Sequence, residues 1–237
     1  RAEARVIRAW YYWMAMDVFG DVPFTTEKDA VGTEAPAQAP RAQIYNYIVS
    51  ELEELASDSS VLPEAQSNYP RVDKGTALGL LSRLYLNAQT YKGEPEWDKC
   101  KQTCERIFAL GYKLAPTYAE LFRGDNGENP NAYNEFLMAV PFDTNSQQSW
   151  GGTTFLNCAS LAQLDIDTYG TIAGNKAAWG GIRISGEYVE KYFNVRGVNF
   201  ETGEYTCDDE RGKMFYIKGR SGEGKIPTKN ELYDFQY

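Results

Sequence analysis

Residues 144–185 combine flat aromatic side chains with planar polar groups, and this combination suits one kind of chemistry. A sugar ring presents a face of C–H bonds and a rim of hydroxyl groups, so aromatic surfaces bordered by amides, carboxylates or guanidinium groups can bind it. The segment therefore predicts a carbohydrate-binding site. Its aromatic candidates are Trp150, Tyr169 and Trp179, and its hydrogen-bonding candidates are Asn157, Asp165, Asp167 and Arg183. Trp150, beside two glycines, is the expected exposed platform, whereas Trp179 fits a packing role equally well.

Catalysis is weakly supported by the same residues. The chain has no histidine, so it lacks the serine–histidine and cysteine–histidine nucleophiles, and a hydrolase here would need two carboxylates as acid and base. Asp165 with Asp167, or Glu187 with Glu190, could form such a pair. Neither pair has a sequence context that would desolvate one member, and the chain has 33 acidic residues. We expect no enzyme activity; an α-helical glycoside hydrolase remains the alternative.

Charge and cysteine content exclude other classes of ligand. The net charge is −9 and no long basic cluster exists, so nucleic acid is not an expected partner. The four cysteines are not spaced as pairs of metal ligands and have no histidine beside them, so we expect no metal and no cofactor. Cys100 and Cys104, one helical turn apart, are interpreted as small core residues.

The first half of the chain predicts the helices that must carry this segment. Helix 1 spans residues 1–18 and ends at Gly20 and Pro23, which suit a helix terminus. Its apolar residues at helical spacing predict one broad buried face: Val6, Ile7, Trp10, Tyr11, Met14 and Val18. Helix 2 follows at 41–56, with glutamates 51, 53 and 54 expected on a solvated face.

Two further helices, at 74–89 and from about Pro95 to Gly111, predict an antiparallel pair of the length of one tetratricopeptide unit. The second of them is expected to bury an apolar face: Trp97, Cys100, Cys104, Ile107 and Phe108. No clean second copy follows. A plain tetratricopeptide module that binds a peptide in a helical groove is therefore a further alternative function.

The second half is less regular. Residues 135–142 alternate like a short strand, and Ser185 can cap a helix through Phe193 whose Tyr188, Val189, Tyr192 and Phe193 face inward. The predicted fold is mainly α: a tetratricopeptide-like array of helical hairpins with long irregular loops and a few short strands. We expect residues 1–122 to form the scaffold and residues 123–237 a loop-rich segment of the same domain that carries the ligand site.

Several motifs in order resemble one known family. Glu3-Ala4-Arg5 with Phe19-Gly20-Asp21-Val22-Pro23, and Arg71-Val72-Asp73-Lys74-Gly75-Thr76-Ala77, resemble the signatures of the SusD/RagB-like family. These are glycan-binding lipoproteins of the outer membrane of Bacteroidetes. The later runs Tyr118–Phe122, Asn129–Phe136, Pro141-Phe142-Asp143 and Trp179-Gly180-Gly181-x-Arg183 are similar to the family's pattern as well.

The resemblance implies a tetratricopeptide-like core and a non-catalytic function. It implies binding of an oligosaccharide or polysaccharide on the extracellular face of the outer membrane and delivery to a SusC-like TonB-dependent transporter. In family members whose sites are known, aromatic residues on loops of this region form the glycan platform, so the resemblance implies the same role for the aromatic residues of 144–185. The chain resembles a middle segment of such proteins, so the lipid anchor is expected outside it.

Overall fold

The computed structural model describes residues 1–29, 32, 35–142, 155, 158–159, 179, 185–197, 199, 205–216 and 234–235. It divides the chain into two compact units, residues 1–113 with 134–140, and residues 114–133 with 141–237. As predicted, the described residues are mainly helical with a few short strands. No helix among them is long and apolar enough to cross a membrane.

The first unit is a helical scaffold. Its helices are α1 (Ala2–Phe19), α2 (Arg41–Leu55), α3 (Lys74–Leu86), α4 (Ala88–Lys92) and α5 (Trp97–Ala109). Two short antiparallel strands, β1 (Val22–Pro23) and β2 (Gln38–Ala39), close the connector between α1 and α2, with Val22 opposite Ala39. The hydrophobic core lies among α1, α2 and α3, and α5 packs chiefly on α3.

The second unit is built of shorter pieces. Among the described residues these are a 3-10 helix (Tyr118–Phe122), α6 (Pro130–Tyr133), α7 (Gly186–Tyr192), a second 3-10 helix (Glu210–Met214) and the antiparallel strands β3 (Phe215–Tyr216) and β4 (Asp234–Phe235). The first 3-10 helix packs on the second.

The predicted buried face of α1 is confirmed in part. Val6 is buried and Ile7 and Trp10 pack against the core, as predicted, whereas Tyr11, Met14 and Val18 are exposed. Ala9 and Met16 complete the buried face. Aromatic and aliphatic residues occur nearly all round this helix, so the apolar period predicts the helix but does not select the side that meets the core. The predicted end is confirmed: Gly20 has φ 79° and its N–H bonds to the carbonyl of Met16 at 3.0 Å.

The acidic face of α2 is predicted to be solvated, but two of its glutamates bond to arginines of α1. Arg5 of α1 donates to both carboxylate oxygens of Glu51 at 2.8 Å and to Glu54 at 2.8 Å. Arg8 bonds to Glu51 as well and reaches Glu27. Glu51 and Glu54, which the sequence pattern places on a solvated face, therefore link α2 to α1.

The start of α3 is held by a reciprocal cap. The Asp73 carboxylate accepts from the Thr76 N–H at 2.9 Å, and the Thr76 hydroxyl accepts from the Asp73 N–H at 3.3 Å. The second oxygen of Asp73 accepts from the Gln66 N–H at 2.7 Å. The buried Lys74 forms an ion pair with Glu64. The polar residues of this motif thus tie the preceding loop to the helix.

Two glycines let other segments approach α3 closely. A Cβ at Gly75 would lie 1.8 Å from the Tyr112 hydroxyl oxygen, and a Cβ at Gly79 would lie 3.1 Å from a Leu137 methyl carbon. The Thr76 hydroxyl donates to the Leu137 carbonyl at 2.7 Å. Residues 135–140 therefore pack against a helix, and the prediction of a strand at 135–142 is wrong. Residues 135–139 are all half-buried and residues 140–142 are exposed, so the alternation in the sequence does not correspond to alternating burial.

The helices after α3 depart from the predicted ones in detail. α3 ends at Leu86, because the Asn87 side chain donates to the Arg83 carbonyl at 2.9 Å and α4 begins at Ala88. In α5 the predicted burial of Trp97 and Phe108 is wrong, since both are exposed. The side that meets α3 is a narrow stripe of Cys100, Thr103 and Ile107, and Phe108 lies about 100° round the helix from Ile107.

Three tyrosines of the scaffold donate hydrogen bonds to carboxylates. In each case the tyrosine and its carboxylate lie on different elements. The pairs are Tyr45 with Glu96, Tyr85 with Glu53 and Tyr91 with Asp17. Burial of the rings, followed by these hydrogen bonds, raises the pKa of all three tyrosines. These three of the chain's 17 tyrosines thus have a structural role.

The helix α7 forms where predicted but presents a different face. The Ser185 hydroxyl accepts from the Tyr188 N–H at 3.3 Å, which agrees with the predicted cap. Phe193 is buried, but the prediction that Tyr188 and Tyr192 face inward is wrong, because both are about half exposed. The side chain of Val189 is outside the described residues.

We predict that Gly75→Ala lowers the free energy of unfolding of the scaffold by about 1–3 kcal/mol, the usual cost of overpacking. The new methyl group meets Tyr112, whose ring is held by the core. Urea unfolding followed by far-UV circular dichroism measures the change. Gly79→Ala is the matched control, because it adds the same methyl to the same helix against a movable leucine side chain. An equal or larger loss in Gly79→Ala would contradict the assignment.

A second prediction concerns pH. Hydrogen bonds from Arg5, opposed by desolvation and reinforced by Arg8, lower the pKa of Glu51 from its ordinary value of 4.5. The stabilisation is therefore fully present above the unfolded-state pKa and is lost as the pH falls through the folded-state pKa. Glu51→Gln should cost about 1–3 kcal/mol at pH 7 and progressively less below about pH 4.5.

Urea unfolding of both proteins across this pH range provides the measurement. Glu54→Gln serves as the control, since Glu54 contacts the same Arg5 but its side chain is largely exposed, and it should lose less stability. A pH-independent difference between native protein and Glu51→Gln would refute the linkage.

Candidate functional site

Trp179 is the predicted site residue that the structure describes, and it forms a half-exposed aromatic pair with Phe155. The Trp179 side chain is 44% exposed and that of Phe155 is 45% exposed. Their ring centroids are 6.0 Å apart and the planes are inclined by 58°. Two large rings lie in contact while each keeps nearly half of its surface in water.

The backbone beneath this pair is anchored. The Trp179 N–H donates to the Cys158 carbonyl at 2.7 Å, and both Cys158 and Ala159 are buried. The indole is therefore attached to a backbone position that is fixed by a hydrogen bond across 21 residues of sequence. A fixed backbone under a partly exposed ring reduces the conformational entropy lost when a ligand stacks on it.

This geometry bears on the two roles that the sequence left open for Trp179. A packing anchor would be buried, whereas 44% of this side chain is accessible. The Trp179–Phe155 pair offers an apolar surface with an edge, and the indole N–H adds a hydrogen-bond donor. Such a surface can stack against the C–H face of a ring-shaped polar ligand.

Phe155 is the residue that the sequence analysis missed. It lies inside the segment 144–185, but its side chain has no polar group, so hydrogen-bonding chemistry does not mark it as a sugar contact. The signal in the sequence that could identify it is an aromatic ring within the predicted ligand-binding segment.

The other six predicted site residues lie outside the described residues: Trp150, Asn157, Asp165, Asp167, Tyr169 and Arg183. Their assignment to a ligand site stays a prediction. Of the carboxylate pairs considered for catalysis, Glu187 is exposed and Glu190 half-buried on α7, and Asp165 with Asp167 is not described. Within the described ranges, no group of three or more acidic, cysteine or histidine side chains is arranged to hold a metal ion.

Comparison with known proteins points to one family. Residues 1–86 match the model of a SusD-like family described as starch-binding and associating with the outer membrane. The chain is 33% identical over 194 residues to the starch-binding protein SusD of Bacteroides thetaiotaomicron, an alignment that covers 82% of this chain and 33% of that protein.

Solved structures support the same fold. A SusD superfamily protein from Parabacteroides distasonis matches 100% of this chain and 48% of its own, with a TM-score of 0.63 at 22% identity. A SusD-like protein from Bacteroides fragilis matches 80% of this chain and 34% of its own, with a TM-score of 0.58 at 20% identity. The chain thus spans between a third and a half of the length of these relatives.

Proposed function

We propose that this chain of the SusD-like family forms part of a non-catalytic glycan-binding protein and that Trp179 and Phe155 contact the sugar. The observation that carries the proposal is the half-exposed pair of rings on an anchored backbone, inside the segment in which the sequence predicts the ligand site. Binding breaks no bond. The rings stack on the apolar face of a pyranose, and neighbouring polar groups accept or donate to its hydroxyls.

The polar contacts in this proposal come from Asn157, Asp165, Asp167 and Arg183, and further stacking comes from Trp150 and Tyr169. All six follow or precede Trp179 within the same loop-rich segment. Amides, carboxylates and guanidinium groups are planar and can bond two adjacent hydroxyls at once, which favours a ligand of defined stereochemistry.

The proposal also includes a place of action and a partner. The family description refers to association with the outer membrane. We propose that the protein acts on the extracellular face of that membrane, held by a lipid anchor outside this segment, and passes oligosaccharides to a SusC-like TonB-dependent transporter. Affinity purification of the tagged protein from a detergent extract of outer membranes, with mass spectrometry, tests the partner. If the purified protein is recovered without a comparable amount of a TonB-dependent transporter, the proposed partner is wrong.

We predict that Trp179→Ala weakens glycan binding by the full-length protein by about tenfold or more, as expected for the loss of one stacked aromatic ring. Trp150→Ala and Phe155→Ala should act in the same direction. Isothermal titration calorimetry with a panel of plant and host oligosaccharides, beginning with maltoheptaose, provides the measurement.

The matched control is Trp97→Ala. Trp97 is also an exposed tryptophan, but it belongs to the scaffold helix α5, so its loss should leave affinity unchanged. If the native protein and Trp179→Ala bind the glycan equally well, the assignment of Trp179 as a sugar contact is wrong. Release of reducing sugar that Asp165→Asn or Asp167→Asn abolishes would instead favour a glycoside hydrolase.

A further inference from the structure

A second exposed aromatic surface lies on α7. Tyr188 and Tyr192 are one helical turn apart, with ring centroids at 4.6 Å and planes inclined by 40°. The side chains are 47% and 55% exposed. Sequence pattern assigned both to the interior, so their exposure is a property of the fold that the apolar period does not predict.

The tyrosine pair has a firm base. Tyr188 stands edge-on to the buried Phe193, with centroids 5.8 Å apart. The Cys207 thiol donates to the Phe193 carbonyl at 3.0 Å, and Arg196 and Thr206 exchange two backbone hydrogen bonds of 2.9 Å. Tyr188 therefore contacts a buried ring whose own backbone is held by Cys207.

A guanidinium–carboxylate pair borders the rings. Arg211 lies over the Phe193 ring at 5.1 Å and donates to both oxygens of Asp209, at 3.0 and 3.1 Å from Nε. The 3-10 helix that carries Arg211 approaches closely, because a Cβ at Gly212 would lie 2.9 Å from the Phe193 Cβ.

A second pair of rings lies on the neighbouring 3-10 helix. Tyr118 and Phe122 are 39% and 42% exposed, with centroids 5.0 Å apart. Their helix packs on the one that carries Arg211. The α7 aromatic surface is defined as Tyr118, Phe122, Tyr188 and Tyr192 together with Arg211 and Asp209.

The charges of this surface indicate the kind of ligand. Arg211 is paired with Asp209, and Arg196 is paired with Asp208. The charge of Lys191, whose ammonium lies 5.2 Å from the Tyr192 ring centroid, is opposed by those of Glu187 and Glu190 on the same helix. These groups together carry three positive and four negative charges, which does not favour a sulfated or uronate-rich ligand. Rings with hydroxyls at their edges, beside a planar ion pair, complement a neutral polyhydroxylated ring.

We propose that the α7 aromatic surface is a second glycan contact, which binds an uncharged oligosaccharide by stacking on Tyr188 and Tyr192. Arg211 and Asp209 then bond to sugar hydroxyls through atoms that their own pairing leaves accessible. The ligand class rests on the proposed function, but the surface uses none of the residues assigned to the first site. Two contacts on one protein raise the affinity for a long polymer above that for a short oligosaccharide.

Calorimetric titration of the full-length protein with maltoheptaose, cellohexaose and xylohexaose tests this inference. The Tyr188→Ala/Tyr192→Ala protein should bind at least one of these neutral oligosaccharides about tenfold more weakly. In a Trp179→Ala background, the same two substitutions should remove the remaining binding. An oligogalacturonate should show no difference between native and variant proteins.

Two further variants keep the test falsifiable. Tyr188→Phe/Tyr192→Phe retains the rings and should retain most of the affinity, which separates stacking from any loss of folding. Tyr11→Ala removes a tyrosine that is 67% exposed on α1 and should have no effect. Thermal unfolding of each variant confirms that it is folded.

The outcomes distinguish the two sites. Weakening by Trp179→Ala with no effect of the tyrosine substitutions on any neutral oligosaccharide overturns this inference and leaves the proposed function standing. The reverse pattern supports the α7 aromatic surface and removes the first site. Unchanged binding in every variant, as expected if a protein partner covers these rings, overturns both.

Discussion

Close packing around α3 is the constraint on which the scaffold depends. This helix is buried along almost its whole length and carries no side chain at the two positions where Tyr112 and Leu137 approach it. A helix surrounded in this way cannot satisfy its first N–H groups with water, so the Asp73–Thr76 cap supplies part of what solvent supplies elsewhere. Three features of the motif Arg71–Ala77 thus accompany the burial of this helix. Asp73 caps its first N–H groups, Lys74 is paired with Glu64, and Gly75 leaves room for Tyr112.

The sequence predicts the helices better than it predicts their faces. The C-terminal end of α1 and the cap of α7 follow from glycine, proline and serine, whose effects are local. The side of α1 that meets the core does not follow from local pattern, because this helix is apolar nearly all round. Trp97 and Phe108 were misassigned for the related reason that an apolar residue on a helix is buried only if a neighbour reaches it.

The candidate site shows the same limit in a different form. Residue types in the segment 144–185 suggest sugar chemistry, and one of the seven predicted side chains, Trp179, is described with a partly exposed ring. Its partner Phe155 carries no polar atom, so a search for hydrogen-bonding groups near aromatic rings does not find it. Tyr188 and Tyr192 were assigned to a core on the strength of helical spacing, although a tyrosine can serve a core or a surface with the same spacing.

The tyrosine–carboxylate pairs of the scaffold also set an upper limit on the pH at which it is stable. Each hydroxyl is useful to its carboxylate only as a donor, and the raised pKa values of Tyr45, Tyr85 and Tyr91 mean that the bonds persist above the pH at which free tyrosine ionises. Once the hydroxyls do ionise, each donor becomes an anion beside another anion, in a chain whose net charge is already −9. The stabilisation by the three bonds is therefore fully present below the unfolded-state pKa of tyrosine and is lost progressively as the pH rises above it, so the scaffold should lose stability in alkali.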